Sequence, residues 1–508
     1  MHRLAVQRAC ASRAGHVRAA AYLQSTLVGS RLRIGSSVYV VAARGMRTKI
    51  KEITPPITLE EAEKKLRENE TVSELIKLGP GIFLQHHANI VASNPLCEDR
   101  ITHSIVNDRI YYACIDGHAG VGVSALLTDT LIPRVDEALQ KLGPEKIKDD
   151  KQVESAIQEA FISLDSDIIH QPIAILHREL EGAEKDAEKK LNRTPEQAKE
   201  IDMAFQLAMM GACVVLAVLD PYHNRLHIAT TGDSRAVMGT WNPEVQLWDV
   251  SQLSEDQTSV NPKEAKRLTS EHPPREAPEI LKDGRTLGLG PSRAFGDAMF
   301  KWPRDAIRNV SRMIYPTPYE PIPEAKTPPY VTARPEVTSR EILPEDALEQ
   351  GMRRFVVLGT DGLYETLSNS EIVGLVGGAL QTELPKGEIA KEAIRETTQL
   401  AAHPEGTYFS EPGYGRNYKF IFKDQNLATH VIRNSIAGSH TKLLQTLLGL
   451  PKELSRNYRD DTSVVVIDIQ AQHEEPLEDQ PDTPFDLRSK LEAAAAKSSS
   501  DPGLAPSQ

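Results

Sequence analysis

Cysteine is scarce in this sequence of 508 residues, with four copies at positions 10, 97, 114 and 213. Their spacing contains no CxxC pair, so neither a structural zinc site nor a disulfide framework is indicated. A phosphate-binding loop around a nucleophilic cysteine would need an arginine six residues after the cysteine, and positions 103, 120 and 219 hold His, Gly and Leu instead. We therefore interpret the last three cysteines as small apolar core residues.

Long apolar runs and excess positive charge are also missing. The longest apolar run near the start, Val38 to Ala43, is far below the roughly 20 residues that span a bilayer, so we predict no transmembrane segment. The net charge of -12 argues against nucleic acid as a partner, because a phosphate backbone requires a basic face. The 40% of apolar residues is typical of a globular chain with a sizeable core.

Acidic residues are absent from positions 1–50, where basic residues recur at positions 3, 8, 13, 18, 31, 33, 44, 47 and 49. An Arg-rich, acid-free start is typical of a mitochondrial transit peptide. The recurring arginines interrupt any apolar core that a secretory signal would need, whereas a disordered basic tail remains an alternative. We predict a transit peptide over residues 1–47 and location in the mitochondrial matrix.

The rest of the chain mixes short apolar strands with longer helical patterns. Strands are predicted over 110–115, 213–219, 225–230, 235–239, 355–359 and 463–469, with the three between 213 and 239 as successive neighbours in one sheet. Helices are predicted over 59–66, 72–78, 121–139 with a possible break at Pro133, 153–169, 371–380, 389–400 and 426–447.

This order lacks strict βαβ alternation, which favours antiparallel sheets with helices on their outer faces. The predicted layout is an N-terminal extension over 48–84 and one domain over 85–470. A solvated, Glu- and Lys-rich helical insertion is expected near 178–205 and a loop insertion near 403–424. The acidic and then Ala/Ser-rich residues 471–508 predict a disordered tail.

Acidic residues adjoin the predicted apolar strands at five places. Each such acid alone has an ordinary explanation, because Asp-Gly is a common turn dipeptide. A carboxylate beside a buried strand is nevertheless costly unless it is paired or binds a metal. Five recurrences indicate an all-oxygen site for hard cations such as Mg²⁺ or Mn²⁺, and two such ions can activate a water for attack on phosphorus. The five places are Glu98-Asp99, Asp116-Gly117, Asp233, Asp361-Gly362 and Asp460-Asp461.

These acids belong to an ordered set of motifs that resembles the metal-dependent type 2C serine/threonine phosphatases over about residues 90–470. The motifs are Glu98-Asp99, Asp116 to Gly120, Gly232 to Ala236, Ser292 to Asp297, Thr360 to Gly362, and Arg459 to Thr462. Four segments look closer to the mitochondrial pyruvate dehydrogenase phosphatases and their fungal relatives: Asn94 to Arg100, Arg293 to Trp302, Asp424 to His430, and Tyr458 to Asp461.

The resemblance implies an α+β fold, a four-layer α-β-β-α sandwich of two antiparallel sheets flanked by helices. It also implies two divalent cations, Mg²⁺ or Mn²⁺. Asp116 would bridge both ions, the Gly117 carbonyl would bind one, and Asp361 and Asp460 would bind the other. The resemblance further implies that Glu98 and Asp99 hold metal-bound waters and that Asp233, with Glu365, holds a weaker third ion.

His118 would protonate the leaving serine or threonine oxygen in this scheme. An imidazole suits that task because its pKa lies near working pH. Without the neighbouring acid, the simpler interpretation would be a helix-start residue with a satisfied hydrogen bond.

Two positions depart from the family pattern. Asn94 stands where many members have an arginine that binds the substrate phosphate, and an amide cannot make that bidentate charged contact. Phosphate binding would then fall to the metals or to another cation such as Arg100. Gln257 stands where the family usually has His, and we interpret it as structural. The glycine-rich segments 117–122 and 288–290 do not fit a nucleotide-binding loop.

The expected function is a mitochondrial phosphoprotein phosphatase, with the pyruvate dehydrogenase complex as the target that the resemblance implies. One alternative is the same enzyme acting on another mitochondrial phosphoprotein. A second is a catalytically inactive scaffold of the same fold, against which the joint retention of Asp116, Asp361 and Asp460 argues.

Overall fold

The computed structural model describes residues 56–181, 193–344, 346–381, 387–410, 412 and 417–471. The predicted transit peptide of 1–47 lies outside the described residues, as does the predicted tail after Ala471. The predicted insertions near 178–205 and 403–424 are described only in part.

Two antiparallel sheets form the centre of the described chain. An eight-stranded sheet has the order β1-β3-β18-β14-β8-β9-β16, with β2 beside β3 and β16 as a parallel edge. Its strands are β1 Thr71–Val72, β2 Ile76–Gly79, β3 Ile82–Val91, β8 Arg235–Asn242, β9 Leu247–Gln252, β14 Arg353–Gly359, β16 Thr398–Leu400 and β18 Thr462–Ala471.

The other large sheet has six strands in the order β13-β7-β6-β5-β4, with β12 beside β6. Its strands are β4 Arg100–Val106, β5 Arg109–His118, β6 Gly211–Asp220, β7 Arg225–Thr231, β12 Phe295–Gly296 and β13 Glu336–Glu341. Two small pairs complete the described strands, β10 Leu281–Lys282 with β11 Arg285–Thr286 and β15 Gly387–Ile389 with β17 Phe420–Phe422.

Helices cover the outer faces of both sheets. They are α1 Leu59–Arg67, α2 Gly122–Gln140, α3 Gly143–Lys146, α4 Asp150–Glu181, α5 Pro195–Met209, α6 Pro262–Glu271, α7 Ala277–Ile280, α8 Ala298–Lys301, α9 Arg304–Ile314, α10 Asp361–Tyr364, α11 Asn369–Leu380, α12 Lys391–Arg395, α13 Leu427–Ile436, α14 Thr441–Gly449 and α15 Lys452–Ser455. Pro133 lies inside α2, which stays one helix.

The alternation of side chains along each strand creates three apolar layers. In β5, Tyr111 and Ala113 face α2, α4 and α5, whereas Tyr112 and Cys114 face the other sheet. The eight-stranded sheet likewise packs its outer face on α1, α11, α13 and α14. The predicted four-layer α-β-β-α sandwich is therefore confirmed. Cys114 and Cys213 are buried as predicted, whereas Cys97, also predicted as a core residue, is only partly buried in the loop before β4.

Residues 56–84, predicted as an extension, pack on the eight-stranded sheet. Thr58 caps α1 through a reciprocal capping box with Glu61, and Leu66 is fully buried beneath the helix. The helix predicted over 72–78 is wrong, because β1 and β2 occupy that stretch and pair with β3. Short segments of this kind carry too few apolar positions to separate a helical from a strand period.

Three other predictions needed the tertiary structure. The stretch near 178–205 is not simply solvated, because α5 buries Ile201 and Phe205 against α4 and its sheet. The strand at 235–239 is real but lies in the eight-stranded sheet, beside β14 and β9. The helices predicted over 389–400 and 426–447 are each interrupted, the first by β16 and the second by a break between α13 and α14.

Candidate metal and catalytic site

The acidic side chains converge where the ends of the two central sheets meet. Asp116 lies near the end of β5 in the six-stranded sheet, and Asp361 begins α10 directly after β14 of the eight-stranded sheet. Asp233 lies in the turn from β7 to β8, where the chain passes from one sheet to the other. Because each acid lies within or next to a buried strand, the backbone holds all three in place.

Two groups of carboxylate oxygens lie close enough to hold a cation. Oxygens of Asp116, Asp233 and Asp361 lie within 4.8 Å of one another, and so do oxygens of Asp361, Glu365 and Asp460. Asp361 belongs to both groups. Hard cations such as Mg²⁺ and Mn²⁺ prefer carboxylate oxygen, so the donor set fits the divalent metals that the resemblance implies.

The electrostatics of these carboxylates point the same way. Burial, together with the negative charges of Asp361, Asp99 and Asp233, raises the pKa of Asp116 well above its ordinary value. Burial and the nearby Asp361 carboxylate raise the pKa of Asp233 to about 7. Burial also raises the pKa of Asp361. Clustered buried carboxylates that resist ionisation are stabilised by a bound cation, because its charge offsets both burial and mutual repulsion.

Glu98 and Asp99 lie at different depths. Asp99 is almost fully buried and accepts a hydrogen bond from the Thr360 hydroxyl at 2.8 Å, and burial raises its pKa to about 8. Glu98 lies nearer the surface, where its Oε1 accepts from the Gly120 backbone N–H at 2.6 Å. Asp99 is thus buried outside both carboxylate groups, whereas Glu98 borders the loop that follows Asp116.

Asp461 organises the loop that carries Asn94 and Glu98. Its carboxylate accepts backbone N–H bonds from Ser93, Asn94 and Glu98 at 2.5, 2.9 and 2.8 Å. Burial acts to raise the pKa of Asp461, but these hydrogen bonds outweigh burial and lower it. The Asn94 amide donates to Asp461 and Glu98 at 3.0 and 3.1 Å, so this amide braces the loop.

Two arginines near the acids differ in what they contact. Arg100 directs its guanidinium at the backbone carbonyls of Cys97 and Asp99, at 2.6 Å each. Arg456 extends from the end of α15 and forms an ion pair with Asp460. Its side chain is 49% exposed. Burial raises the pKa values of Glu98 and Asp361, and the positive charge of Arg456 partly offsets that rise. Arg456 is thus a solvent-accessible cation at the edge of the acidic site.

His118, the last residue of β5, contacts a carboxylate. Its Nε2 lies 2.7 Å from Oδ2 of Asp297, and the side chains are 25% and 4% exposed. Burial alone would lower the pKa of His118, but the charge and hydrogen bond of Asp297 outweigh burial and raise it. The Asp297 carboxylate therefore favours the protonated form of the His118 imidazole, two residues after Asp116.

Two glycines allow the backbone segments of the site to meet. A Cβ on Gly117 would lie 2.6 Å from the Glu98 carbonyl oxygen, and one on Gly362 would lie 2.2 Å from the Asp461 carbonyl oxygen. Any larger residue would push the acidic segments apart. The Asp-Gly pairs at these positions therefore have a packing reason beyond turn formation.

Gln257 is structural, as predicted. Its side chain is fully buried, accepts from the Gly232 N–H at 2.8 Å and donates to the Thr230 carbonyl at 3.1 Å. It thereby secures the turn that presents Asp233.

Three residues of the site had no role assigned from the sequence: Asp297, Asp461 and Arg456. Asp297 and Asp461 stand inside motifs that carried the resemblance, which was a usable signal. Arg456 stands outside those motifs, and only its ion pair with Asp460 draws attention to it.

Comparison with known proteins finds similarity to one family and to several of its members. The family model described as protein phosphatase 2C matches residues 88–405. A protein phosphatase 2C homolog of Schizosaccharomyces pombe is 35% identical over 82% of this chain and 86% of its own length. The mitochondrial [pyruvate dehydrogenase [acetyl-transferring]]-phosphatase 1 of Saccharomyces cerevisiae is 31% identical over 80% of this chain and 71% of its own length.

The rat protein of the same name is 34% identical over 63% of this chain, and the match spans 55% of the rat protein. Among solved structures, serine-threonine phosphatase 2C from Toxoplasma gondii aligns with 79% of this chain and 99% of its own, at 15% identity and a TM-score of 0.42. None of the helices in the described part of the chain has the length and apolar character to cross a membrane.

Proposed function

This chain belongs to the protein phosphatase 2C family, and we propose that it hydrolyses phosphoserine and phosphothreonine in proteins of the mitochondrial matrix, with the pyruvate dehydrogenase complex as substrate. The observation that carries the catalytic part is the pair of carboxylate groups sharing Asp361. The substrate rests on the relatives named as pyruvate dehydrogenase phosphatases. The location rests on those relatives and on the Arg-rich, acid-free residues 1–50.

We propose that Asp116, Asp361 and Asp460 are the principal metal ligands, assisted by the Gly117 carbonyl, Glu98 and Asp233. Two divalent cations in this site would lower the pKa of a water and direct it at phosphorus. The chain's own residues then orient the ester and supply the proton for the leaving oxygen. Asp99 would hold a water bound to these ions.

His118 is the proton donor in this mechanism. As the P–O bond breaks, its electron pair passes to the serine or threonine oxygen, which takes the proton from the imidazolium. The attacking water contributes its oxygen to phosphate and releases a proton to solvent, from which His118 is protonated again. The contact with Asp297 supports this role, because a carboxylate stabilises the charged imidazole.

Arg456 binds the substrate phosphate in place of the arginine that many family members have at the position of Asn94. The Asn94 amide is already engaged by Asp461 and Glu98, and Arg100 points at backbone carbonyls. Arg456 carries a planar guanidinium at the edge of the acids, where an incoming phosphate meets solvent. Guanidinium and phosphate form strong bidentate contacts.

The test uses the recombinant protein with a phosphoserine peptide and Mg²⁺ or Mn²⁺. We expect hydrolysis that stops when the metal is chelated and that Asp116→Asn abolishes. Asp167→Asn, in a well-exposed ion pair with Arg134, is the matched control and should keep full activity. Full activity of Asp116→Asn would overturn the metal mechanism, and an inactive wild-type protein would favour the scaffold alternative.

The substrate is tested separately with phosphorylated pyruvate dehydrogenase complex. We expect release of phosphate from the complex and recovery of its dehydrogenase activity. Hydrolysis of the peptide without dephosphorylation of the complex would assign the enzyme to another mitochondrial phosphoprotein.

A further inference from the structure

Asp297 contacts Nε2 of His118, and the proposed function uses this contact only to stabilise the charged imidazole. We propose that Asp297 is a positioning residue that holds the His118 imidazole by Nε2, so that Nδ1 is the atom that delivers the proton to the leaving oxygen. This inference rests on the proposed function and adds to it an orienting partner and a defined donor atom. The 2.7 Å contact occupies Nε2, which leaves Nδ1 as the ring nitrogen for proton transfer.

The backbone around Asp297 is built to present this carboxylate. Asp297 precedes α8 with φ of 52°, in the left-handed region, and its side chain makes no capping bond to the helix. Its N–H donates to the Met210 carbonyl at 2.8 Å. Gly296 before it also has positive φ, and a Cβ there would lie 2.0 Å from the same carbonyl oxygen. The carboxylate is therefore directed at His118 rather than used by its own helix.

Buried ion pairs brace the segment on both sides. Lys301 pairs with Asp165 at 2.7 Å, and the Asp165 carboxylate also accepts from the Gly296 N–H at 2.7 Å. On the other side, the Arg293 guanidinium contacts Glu264. Asp297 is thus fixed by groups that do not touch His118, which is what a rigid orienting residue requires.

The pair of His118 and Asp297, called the dyad below, leaves no room for a side chain at Gly211. A Cβ built on Gly211 would lie 2.1 Å from Nε2 of His118 and 2.4 Å from Oδ2 of Asp297. The strand pairing places Gly211 directly opposite His118. A methyl group at this position would therefore separate the two side chains.

A carboxylate on one ring nitrogen selects the orientation and the tautomer of an imidazole and stabilises its protonated form. General acid catalysis contributes about 10²- to 10⁴-fold to such reactions. The contribution depends on the leaving group, because a serine alkoxide needs a proton and a nitrophenolate does not. If the contact between Asp297 and His118 were purely structural, its loss would slow the hydrolysis of both kinds of substrate equally.

The experiment compares a phosphoserine peptide with p-nitrophenyl phosphate for the wild type, Asp297→Asn, His118→Gln and the double variant, all with saturating Mn²⁺. Asn tolerates positive φ as Asp does, so Asp297→Asn preserves the backbone. We expect Asp297→Asn to lower kcat for the peptide by about 10- to 100-fold and for p-nitrophenyl phosphate by less than about 3-fold. His118→Gln should show the same pattern, and the double variant should lose little more.

Equal losses on both substrates, no loss on either, or fully multiplicative losses in the double variant would overturn the positioning role. Gly211→Ala is the second variant and should reproduce the substrate-selective loss. Lys199→Gln, at an exposed position of α5, is the control for surface charge. Mn²⁺ affinity, measured by titration calorimetry, should stay within about 3-fold of the wild type, because neither dyad residue is assigned as a ligand.

If the variants do not fold, the proposal can be tested on the wild-type protein alone. The ¹⁵N spectrum of histidine-labelled, metal-free protein should show His118 with Nε2 hydrogen-bonded, and a signal with Nδ1 as the bonded nitrogen would contradict the proposal. Wild-type protein inactive on both substrates would instead count against the proposed function itself. The two failures are therefore distinguishable.

Discussion

In the proposed function, phosphate binding passes from the position of Asn94 to Arg456, which is far away in sequence. The amide at position 94 stabilises the loop before β4 by bonding Asp461 and Glu98. A charged group at the edge of the site is provided instead from α15, some 360 residues later. The Arg456 guanidinium points at Asp460. Among the cations near the acidic residues, we therefore expect the removal of Arg456 to weaken substrate binding most.

We expect Arg456→Gln to raise KM for a phosphoserine peptide by about 10-fold and to weaken inhibition by inorganic phosphate in parallel, with kcat changed less than about 3-fold. A tenfold loss corresponds to about 1.4 kcal/mol, within the range of a hydrogen bond to a charged group. Steady-state kinetics measures both constants. Lys452→Gln, an exposed cation in the same short helix, is the control.

A measurement of Mn²⁺ affinity distinguishes the loss of phosphate binding by Arg456 from a change in metal binding by Asp460. Loss of the Arg456 partner should leave Mn²⁺ binding unchanged or tighter, because the guanidinium competes for that carboxylate. Weaker Mn²⁺ binding with unchanged KM would contradict the phosphate-binding role.

For individual residues, the sequence predicted that the acidic side chains converge. It did not predict which side chains form hydrogen bonds or ion pairs with one another. The acids at positions 116, 233 and 361 could be expected to converge, because each adjoins a buried strand. The contact of His118 with Asp297 joins residues 179 positions apart, and no local pattern encodes it. Asp297 stands in a recognisable motif, yet its use as a partner of His118 becomes visible only in the folded chain.

Among the elements, α1 is the clearest case of a segment whose importance the sequence understated. Its amphipathic pattern predicted a helix. Because the segment was predicted to be an extension outside the domain, its contacts with α14 and the eight-stranded sheet were not expected. Lys65 donates to the Leu448 carbonyl at 3.0 Å, and Glu63 pairs with Arg433 of α13. The helix therefore closes one outer face of the sandwich.

Leu66→Ala should lower the free energy of unfolding by about 2–5 kcal/mol, the usual cost of truncating a buried leucine, because Leu66 is fully buried. Leu59→Ala in the same helix is the control, since Leu59 is 41% exposed and should cost less than about 1 kcal/mol. Urea unfolding followed by fluorescence measures both. Equal effects of the two substitutions would mean that α1 does not pack on the core in solution.

Element types were predictable where a segment was long or wholly apolar, as in α2, β14 and β18. Prediction failed where two short elements share one amphipathic stretch, as in α12 with β16, because a window of three to five residues fits either period. The prediction that β8 lies beside β7 in the same sheet was wrong for another reason. The turn at Asp233 carries the chain across to the second sheet, and local sequence does not distinguish a hairpin from such a crossover.

For the molecule as a whole, the acidic site works against stability when no cation is bound. Asp361 lies among Asp116, Asp233 and Asp460, and burial raises its pKa. Removing its charge should therefore stabilise the metal-free protein while removing a ligand. Such an opposition between stability and activity is common at functional sites.

We expect Asp361→Asn to have a higher unfolding temperature than the wild type in chelator, by about 2–4 °C per kcal/mol gained. Wild-type protein at 100 times its dissociation constant for Mn²⁺ should gain about 2.7 kcal/mol, whereas the variant should gain much less. Differential scanning calorimetry with and without Mn²⁺ tests both statements. A metal-induced gain of the same size in the variant would remove Asp361 from the ligand set.

The position of β18 has a consequence for biosynthesis. This strand is the last one described, yet it lies between β3 and β14 in the interior of the eight-stranded sheet. A nascent chain that still holds residues 462–471 in the ribosome has two open strand edges that cannot pair, and it lacks the segment with Asp460 and Asp461 as a folded unit. This half of the molecule must therefore fold after translation of residue 471.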